Sequence, residues 1–226
     1  DAHLNEYVPE YSRRRAAITG FTGSAGDAII SPEGNHLFVD SRYYLQADEE
    51  VDPNKFRVHK LGLSGESTLS QWLTEMEEER GSIRVGFDPS VVSMQAHRIY
   101  SSSLHSEGSE MVPIDGNLVD SVWEEQPAPP SNSIYALHES VTGMGVAEKL
   151  LSVRKEMVDV DADRLVLTKL DEIAWVTNLR GDDIPFNPVF EAYMVIDMDQ
   201  ATCFTRSTLP AALLDELSSL VEFHTY

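Results

Sequence analysis

Short apolar runs alternate with stretches of helical period along the whole chain, the pattern of a mixed α/β protein. Residues 27–31 and 36–40 alternate like strands, and the Pro32-Glu33-Gly34-Asn35 turn chemistry between them predicts a hairpin. A short helix is expected at 42–51 and a strand at 56–61. The clearest helix is 64–80, where Leu69, Trp72, Leu73 and Met76 share one face. Glu75, Glu77, Glu78 and Glu79 read as its solvated side, and Gly81 as its stop. A strand at 83–88, a helix at 94–104 and a strand at 110–114 follow. This alternation favours parallel pairs, because parallel neighbours need crossovers.

The pattern then breaks and restarts. Residues 126–132 read QPAPPSN, and proline fixes φ and removes donors, so a linker or stiff crossing is expected. Beyond it, Val146, Leu150, Val153 and Met157 mark a helical face. A strand at 164–169 leads to a helix at 170–180 closed by Gly181. Residues 191–197 and 200–206 predict a hairpin. Thr208 and Pro210 open a last helix, with Leu209, Leu213, Leu217 and Leu220 toward the core. A strand at 221–226 ends the chain, and residues 1–3 begin in mid-loop. Both ends suggest a piece of a longer protein.

Composition narrows the function classes. The 226 residues carry 38 acidic and 17 basic side chains, a net charge of -21, which opposes nucleic-acid and anionic-membrane partners. No apolar run reaches the roughly 20 residues of a membrane span. No signal peptide opens the chain, and the expected compartment is the cytosol. Cys203, the sole cysteine, lies in an alternating apolar stretch and reads as a buried structural thiol.

Candidate chemistry is sparse. None of the seven histidines makes an i, i+4 pair or a His-Glu-x-x-His motif, so no metal ligand is assigned. Gly20, Gly23 and Gly26 precede a strand, with neither the Walker nor the dinucleotide spacing, and read as a tight packed turn. Ser24 lacks a nucleophile elbow. The guanidiniums of Arg13, Arg14 and Arg15 are expected to meet surface acids or another domain. Asp40 and Arg42 read as a local ion pair, with Arg42 or Tyr43 facing substrate as the alternative. Asp182-Asp183 and Asn187-Pro188 lie in a polar loop of the kind that carries contacts, although the acids also suit turn capping.

Taken together, several motifs resemble those of a family. Asp1-Ala2-His3, Arg14-Arg15 and the Gly20–Gly26 run are similar to the start of domain I of the three-domain Xaa-Pro aminopeptidases (aminopeptidase P). Asp40-Ser41-Arg42-Tyr43-Tyr44-Leu45-Gln46-Ala47 resembles a further motif, with Ser41 in place of the usual glycine. Asn117-Leu118-Val119-Asp120 with Trp123 is similar to the end of domain I. Leu170-Asp171-Glu172-Ile173-Ala174-Trp175, Asn178-Leu179-Arg180-Gly181 and Asn187-Pro188-Val189-Phe190 resemble domain II.

The resemblance implies an α/β fold of two creatinase N-terminal-like domains, each a mixed, six-stranded sheet flanked by helices and both truncated. Domain I is expected at 1–125 without its first helix and strand, a Pro-rich linker at 126–140, and domain II at 141–226. It implies a non-catalytic region that shapes substrate access and contacts the enzyme's own C-terminal catalytic domain, with a homodimer allowed. The parent would hydrolyse peptides with proline second, using two manganese ions in the catalytic domain to activate water. Inward-facing candidates are His3, Arg42, Tyr43, Arg180, Asp183 and Asn187. The rival readings are a stand-alone interaction module on the same fold, and a creatinase- or prolidase-like enzyme.

Overall fold

A computed structural model describes residues 2–3 and 5–225. The chain forms two compact units, one built mainly of Tyr11–Pro127 and the other of Ala128–Tyr226 together with the segment His3–Glu10.

In the first unit, helix α1 (Arg14–Thr19) ends where Gly20 turns left-handed at φ 80°. Strands β1 (Asp27–Ser31) and β2 (Gly34–Val39) pair as the expected hairpin. Helix α2 (Tyr44–Glu50) then carries the chain to β3 (Phe56–Lys60), parallel to β2. Helix α3 (Leu69–Arg80), strand β4 (Arg84–Phe87), helix α4 (Met94–Ser101) and strand β5 (Glu110–Pro113) follow, with β4 and β5 parallel. Alternation along β2 divides the core. Leu37 and Val39 pack with Phe21, Ala47, Val51 and Phe56, whereas Phe38 packs on the opposite side with Trp72 and Leu73. Each of the buried valine, leucine and phenylalanine side chains contributes roughly 1.5–3 kcal/mol of burial.

Two local features depart from the pattern reading. Helix α3 begins at Leu69 rather than at 64, because Gly65 takes a φ of 85° and Thr68 and Gln71 form a reciprocal capping box. Glu77 is not part of a solvated face. It is 4 % exposed and accepts from the backbone N–H groups of His105 and Ser106 at 2.8–3.0 Å. The Ser109 hydroxyl, with those two amides, holds its carboxyl below the ordinary range.

The second unit runs β6 (Tyr135–Ala136), α5 (Glu139–Thr142), α6 (Val146–Asp159), β7 (Arg164–Leu167), α7 (Leu170–Thr177), β8 (Leu179–Arg180), β9 (Ala192–Asp197), β10 (Ala201–Thr205), α8 (Ala211–Leu217) and β11 (Glu222–His224). Four strands form a mixed sheet in the order β11-β10-β9-β7, with β10 and β11 parallel and the other two pairs antiparallel. Ala192, Met194 and Ile196 alternate inward along β9, and Ala201 and Cys203 along β10. They meet Leu150, Met157, Ile173, Val176, Leu213 and Leu217 in one core. Cys203 is fully buried, and burial pushes its thiol up to about 12. Tyr226, the last residue of the expected final strand, lies outside the described residues.

The stretch expected as a linker divides in two. Past Pro130 the chain regains N–H donors, and Ile134 is fully buried in the second core with its amide on the Thr208 carbonyl at 2.9 Å. Residues Tyr135–Ala136 then pair with β8.

Both units share one connection: helix, antiparallel hairpin, helix, returning parallel strand. It runs α1-β1-β2-α2-β3 in the first and, with β8 inserted after the first helix, α7-β8-β9-β10-α8-β11 in the second. The sheets differ from the six strands implied above, since the described residues give three plus two strands in the first unit and four plus two in the second.

Thr68→Ala removes the acceptor that starts α3 and is expected to lower the first unit's stability by about 1 kcal/mol in chemical denaturation. An unchanged midpoint would show that the box contributes nothing.

Candidate functional site

In the first unit the candidate residues surround the glycine corner. A Cβ on Gly23 would sit 2.2 Å from Cζ of Phe21, and one on Gly26 would sit 2.9 Å from the Phe38 carbonyl oxygen. The corner is a close-packed turn, as its spacing suggested. Arg15 fastens it: its guanidinium donates to the Gly26 carbonyl at 2.6 Å and to the Gly23 carbonyl, and lies 5.5 Å from the centre of the Phe21 ring. Glu50 accepts from the Thr22 amide and hydroxyl, both at 2.8 Å. The Ser24 hydroxyl meets the Tyr43 hydroxyl at 2.6 Å, and Tyr43 packs edge-on against Phe21.

Arg42 makes a two-pronged pair with Asp40 at 2.9 and 2.7 Å and lies over the Tyr43 ring, 4.9 Å from its centre. The local ion pair inferred from the sequence is present, and the Arg42 side chain remains 64 % exposed. Of the arginine run, Arg14 meets an acid of its own unit, holding Asp120 with two bonds of 2.6 and 2.8 Å, whereas Arg15 serves the backbone of the glycine corner. That guanidinium keeps the Asp120 carboxyl below its ordinary range.

In the second unit the hub is Asp183, 5 % exposed. Its oxygens accept from the Glu191 amide (2.8 Å), the Ser207 hydroxyl (2.6 Å), the Asn132 side-chain amide (3.1 Å) and the Asn132 backbone (3.3 Å). Three separated segments are thus tied to one buried carboxylate. Sequence reading singled out Asp183 but missed Asn132 and Ser207. Asn132 sits in the proline run, where its amide was the only available signal.

Helix α7 stops at Thr177, three residues short of the sequence expectation. Asn178 takes the left-handed conformation at φ 56°, and its side chain donates to the Met144 carbonyl at 2.8 Å. Lys149, 2 % exposed, donates to Asn178 Oδ1 at 2.5 Å and to the Trp175 carbonyl at 2.8 Å. Arg180 donates to the Ala174 carbonyl at 2.6 Å. Two cations therefore occupy the negative end of the helix. Burial, followed by the nearby Arg180 charge, lowers the Lys149 pKa. Arg180 also borders an open cavity of about 550 Å3 lined by Val153, Leu165, Leu167 and Trp175.

Asn187 closes a tight turn on Ile184, and its side-chain amide donates to the Pro185 carbonyl at 3.1 Å. Between them Phe186 is 90 % exposed at a φ of 65°, a conformation that costs a non-glycine residue on the order of 1–2 kcal/mol. Tyr7 meets its ring edge-on at 5.6 Å. His3 is buried, donates Nδ1–H to the Thr168 carbonyl at 2.9 Å and lies 4.5 Å from the Tyr193 ring. Burial lowers its pKa. Of the six candidates, then, Arg42 and Tyr43 meet directly, Asp183 and Asn187 share one loop, and His3 and Asp183 are largely withdrawn from solvent.

Among the described residues no three histidine, cysteine, aspartate or glutamate side chains are grouped to hold a metal ion. Asp183 is committed to neutral donors, so the Asp182-Asp183 pair does not act as a chelate. These residues do not fit a dinuclear centre. No helix among them is long and apolar enough to cross a membrane.

A mixed sheet, its flanking helices and the repeated helix–hairpin–helix–strand connection define a tandem pair of α/β modules. Family models described as creatinase/prolidase N-terminal domain match residues 13–122 and 125–226, one over each module. The chain belongs to that family, with two successive copies of its domain. It is 41% identical over 92% of its length to Xaa-Pro aminopeptidase ApepP of Drosophila melanogaster, and 37% identical over its full length to aminopeptidase P2 of Arabidopsis thaliana. It spans about a third of those relatives, 33% and 32% of their lengths. A crystal structure of X-prolyl aminopeptidase from Caenorhabditis elegans, described as a cytosolic enzyme with a di-nuclear active site, matches 100% of this chain. The TM-score is 0.92, with 30% identity and 37% of that chain covered.

Asp183→Ala strands the Glu191 amide and the Ser207 hydroxyl in a buried setting. We expect a loss of about 3 kcal/mol in the second unit's unfolding free energy. A loss below about 1 kcal/mol would show that water replaces the carboxylate without penalty.

Proposed function

We propose that the chain is the non-catalytic N-terminal region of a metal-dependent Xaa-Pro aminopeptidase. Its two domains shape access to the active site and supply contacts to the catalytic domain or to a second subunit. The observation that carries this reading is the pairing of 41% identity to a Xaa-Pro aminopeptidase with coverage of only a third of its length. The Asp183 carboxylate, the more buried acid of the Asp182-Asp183 pair, is taken up by the Glu191 amide and the Ser207 hydroxyl. In this reading, hydrolysis of the bond before proline belongs to the part of the enzyme outside this chain, where two manganese ions are expected. The cytosol is its proposed compartment.

Within the chain, roles divide by exposure. Arg42 and Tyr43 offer an exposed cation and a phenol at the glycine corner. Arg180 borders the apolar cavity. His3, Asp183 and Asn187 shape the loops that carry such surfaces. The domain limits proposed for the parent are 1–125 and 141–226, joined through 126–140.

The reading is tested with the purified chain, the full-length protein and a peptide carrying proline second, each with manganese. The chain is expected to release no N-terminal amino acid, and the full-length protein to release it. Manganese-dependent release by the chain alone would overturn the assignment, as would a full-length protein indifferent to proline.

A further inference from the structure

Beneath α3, two imidazoles and a carboxylate stand in line. His36 on β2 and His59 on β3 share a sheet face, since Phe38 pairs across with His59 and His36 with Arg57. Nδ1 of His36 lies 2.9 Å from Nε2 of His59. Nδ1 of His59 lies 3.4 Å from Oε2 of Glu66, within ion-pair distance, and both of these atoms are buried without a hydrogen-bond partner. The rings are held from outside the line. Phe38 stacks on His59 at 4.4 Å, and Trp72 packs against His36 at 4.8 Å. His59 is 1 % exposed, whereas His36 is half-buried with Nε2 beside Gly34.

The hydrogens have one arrangement that serves every member. A carboxylate only accepts, so the hydrogen facing Glu66 sits on Nδ1 of His59. Nε2 of the neutral His59 ring is then bare and accepts from Nδ1–H of His36. That leaves Nε2 of His36 bare at the outer end. We propose that His36, His59 and Glu66 form a tautomer-locked proton relay that fastens the 61–68 loop to the sheet and releases it in acid.

A proton arriving from water binds Nε2 of His36. The hydrogen on Nδ1 of that ring passes to Nε2 of His59, which becomes an imidazolium facing the Glu66 carboxylate. One proton is taken up, and only N–H bonds form or break. A second proton places positive charge on both rings across 2.9 Å. Arg57 on β3 opposes uptake at both rings, whereas Glu66 and, from α3, Glu75 favour it at His59. Burial outweighs the acids and holds both imidazoles below their ordinary value. The fastened form therefore binds fewer protons than the open form. Its advantage is complete above about pH 6.5, the unperturbed imidazole value, and is lost as pH falls below it.

Long-range proton–nitrogen spectra of the unaltered chain test the lock directly. Both rings are expected to carry hydrogen on Nδ1 at pH 7.5, and hydrogen on Nε2 of His59 would overturn the proposal. Glu66→Ala should leave His59 a mixture of tautomers, and Glu66→Gln, which keeps an acceptor, should restore one. Equal spectra for the two variants would remove Glu66 from the relay. Hydrogen exchange corrected for its intrinsic pH dependence tests the release. Opening of 61–68 should rise about tenfold per pH unit below 6.5 if one proton is linked. Unchanged protection while the rings titrate independently would sink the idea.

Discussion

A buried carboxylate is tolerated only when its oxygens are met by donors, and Asp183 turns that requirement into architecture. Four hydrogen bonds from Asn132, Glu191 and Ser207 draw residues far apart in sequence to one point. The entry of the chain into the second unit, the start of the β9 region and the exit of β10 are positioned together. The loop bearing Phe186 and Asn187 hangs from that anchor. Because the donors are neutral, the charge is stabilised by dipoles fixed in place by folding rather than by a counter-ion.

The two units solve one problem with different side chains. Each must stop a short helix and turn into a central hairpin. In the first unit glycine takes the left-handed position at residue 20, and Arg15 gathers the carbonyls of the turn beyond. In the second, Asn178 takes the left-handed position and the cations Lys149 and Arg180 gather the last carbonyls of α7. The left-handed stop is common to both, but the cations of the second unit meet the C=O groups of the helix end itself, whereas Arg15 meets those of the turn that follows.

Most of the architecture was legible because it rests on period and turn chemistry. The hairpin pairings, the parallel return of β3 and the inward leucines of α8 follow from alternation, crossover geometry and 3.6-residue spacing. What escaped was set by hydrogen bonds between residues distant in sequence. Glu77 looks like any other acid in its run, and only the amides at 105 and 106 bury it. Asn178 reads as one more helical position until Lys149 and the Met144 carbonyl hold its side chain. The exposed Arg42–Asp40 pair was legible because its members are two residues apart. The Asp183 set was not, because its donors come from positions 132, 191 and 207.

The seclusion of Cys203 has a practical consequence. Its thiol is fully buried, and its ionisation is displaced far above neutral pH, so the folded molecule presents almost no thiolate to an electrophile. A cysteine introduced at the surface would therefore be a unique handle for a dye, a spin label or a crosslinker. Distances across either module can then be read by spectroscopy without first removing the native sulfur.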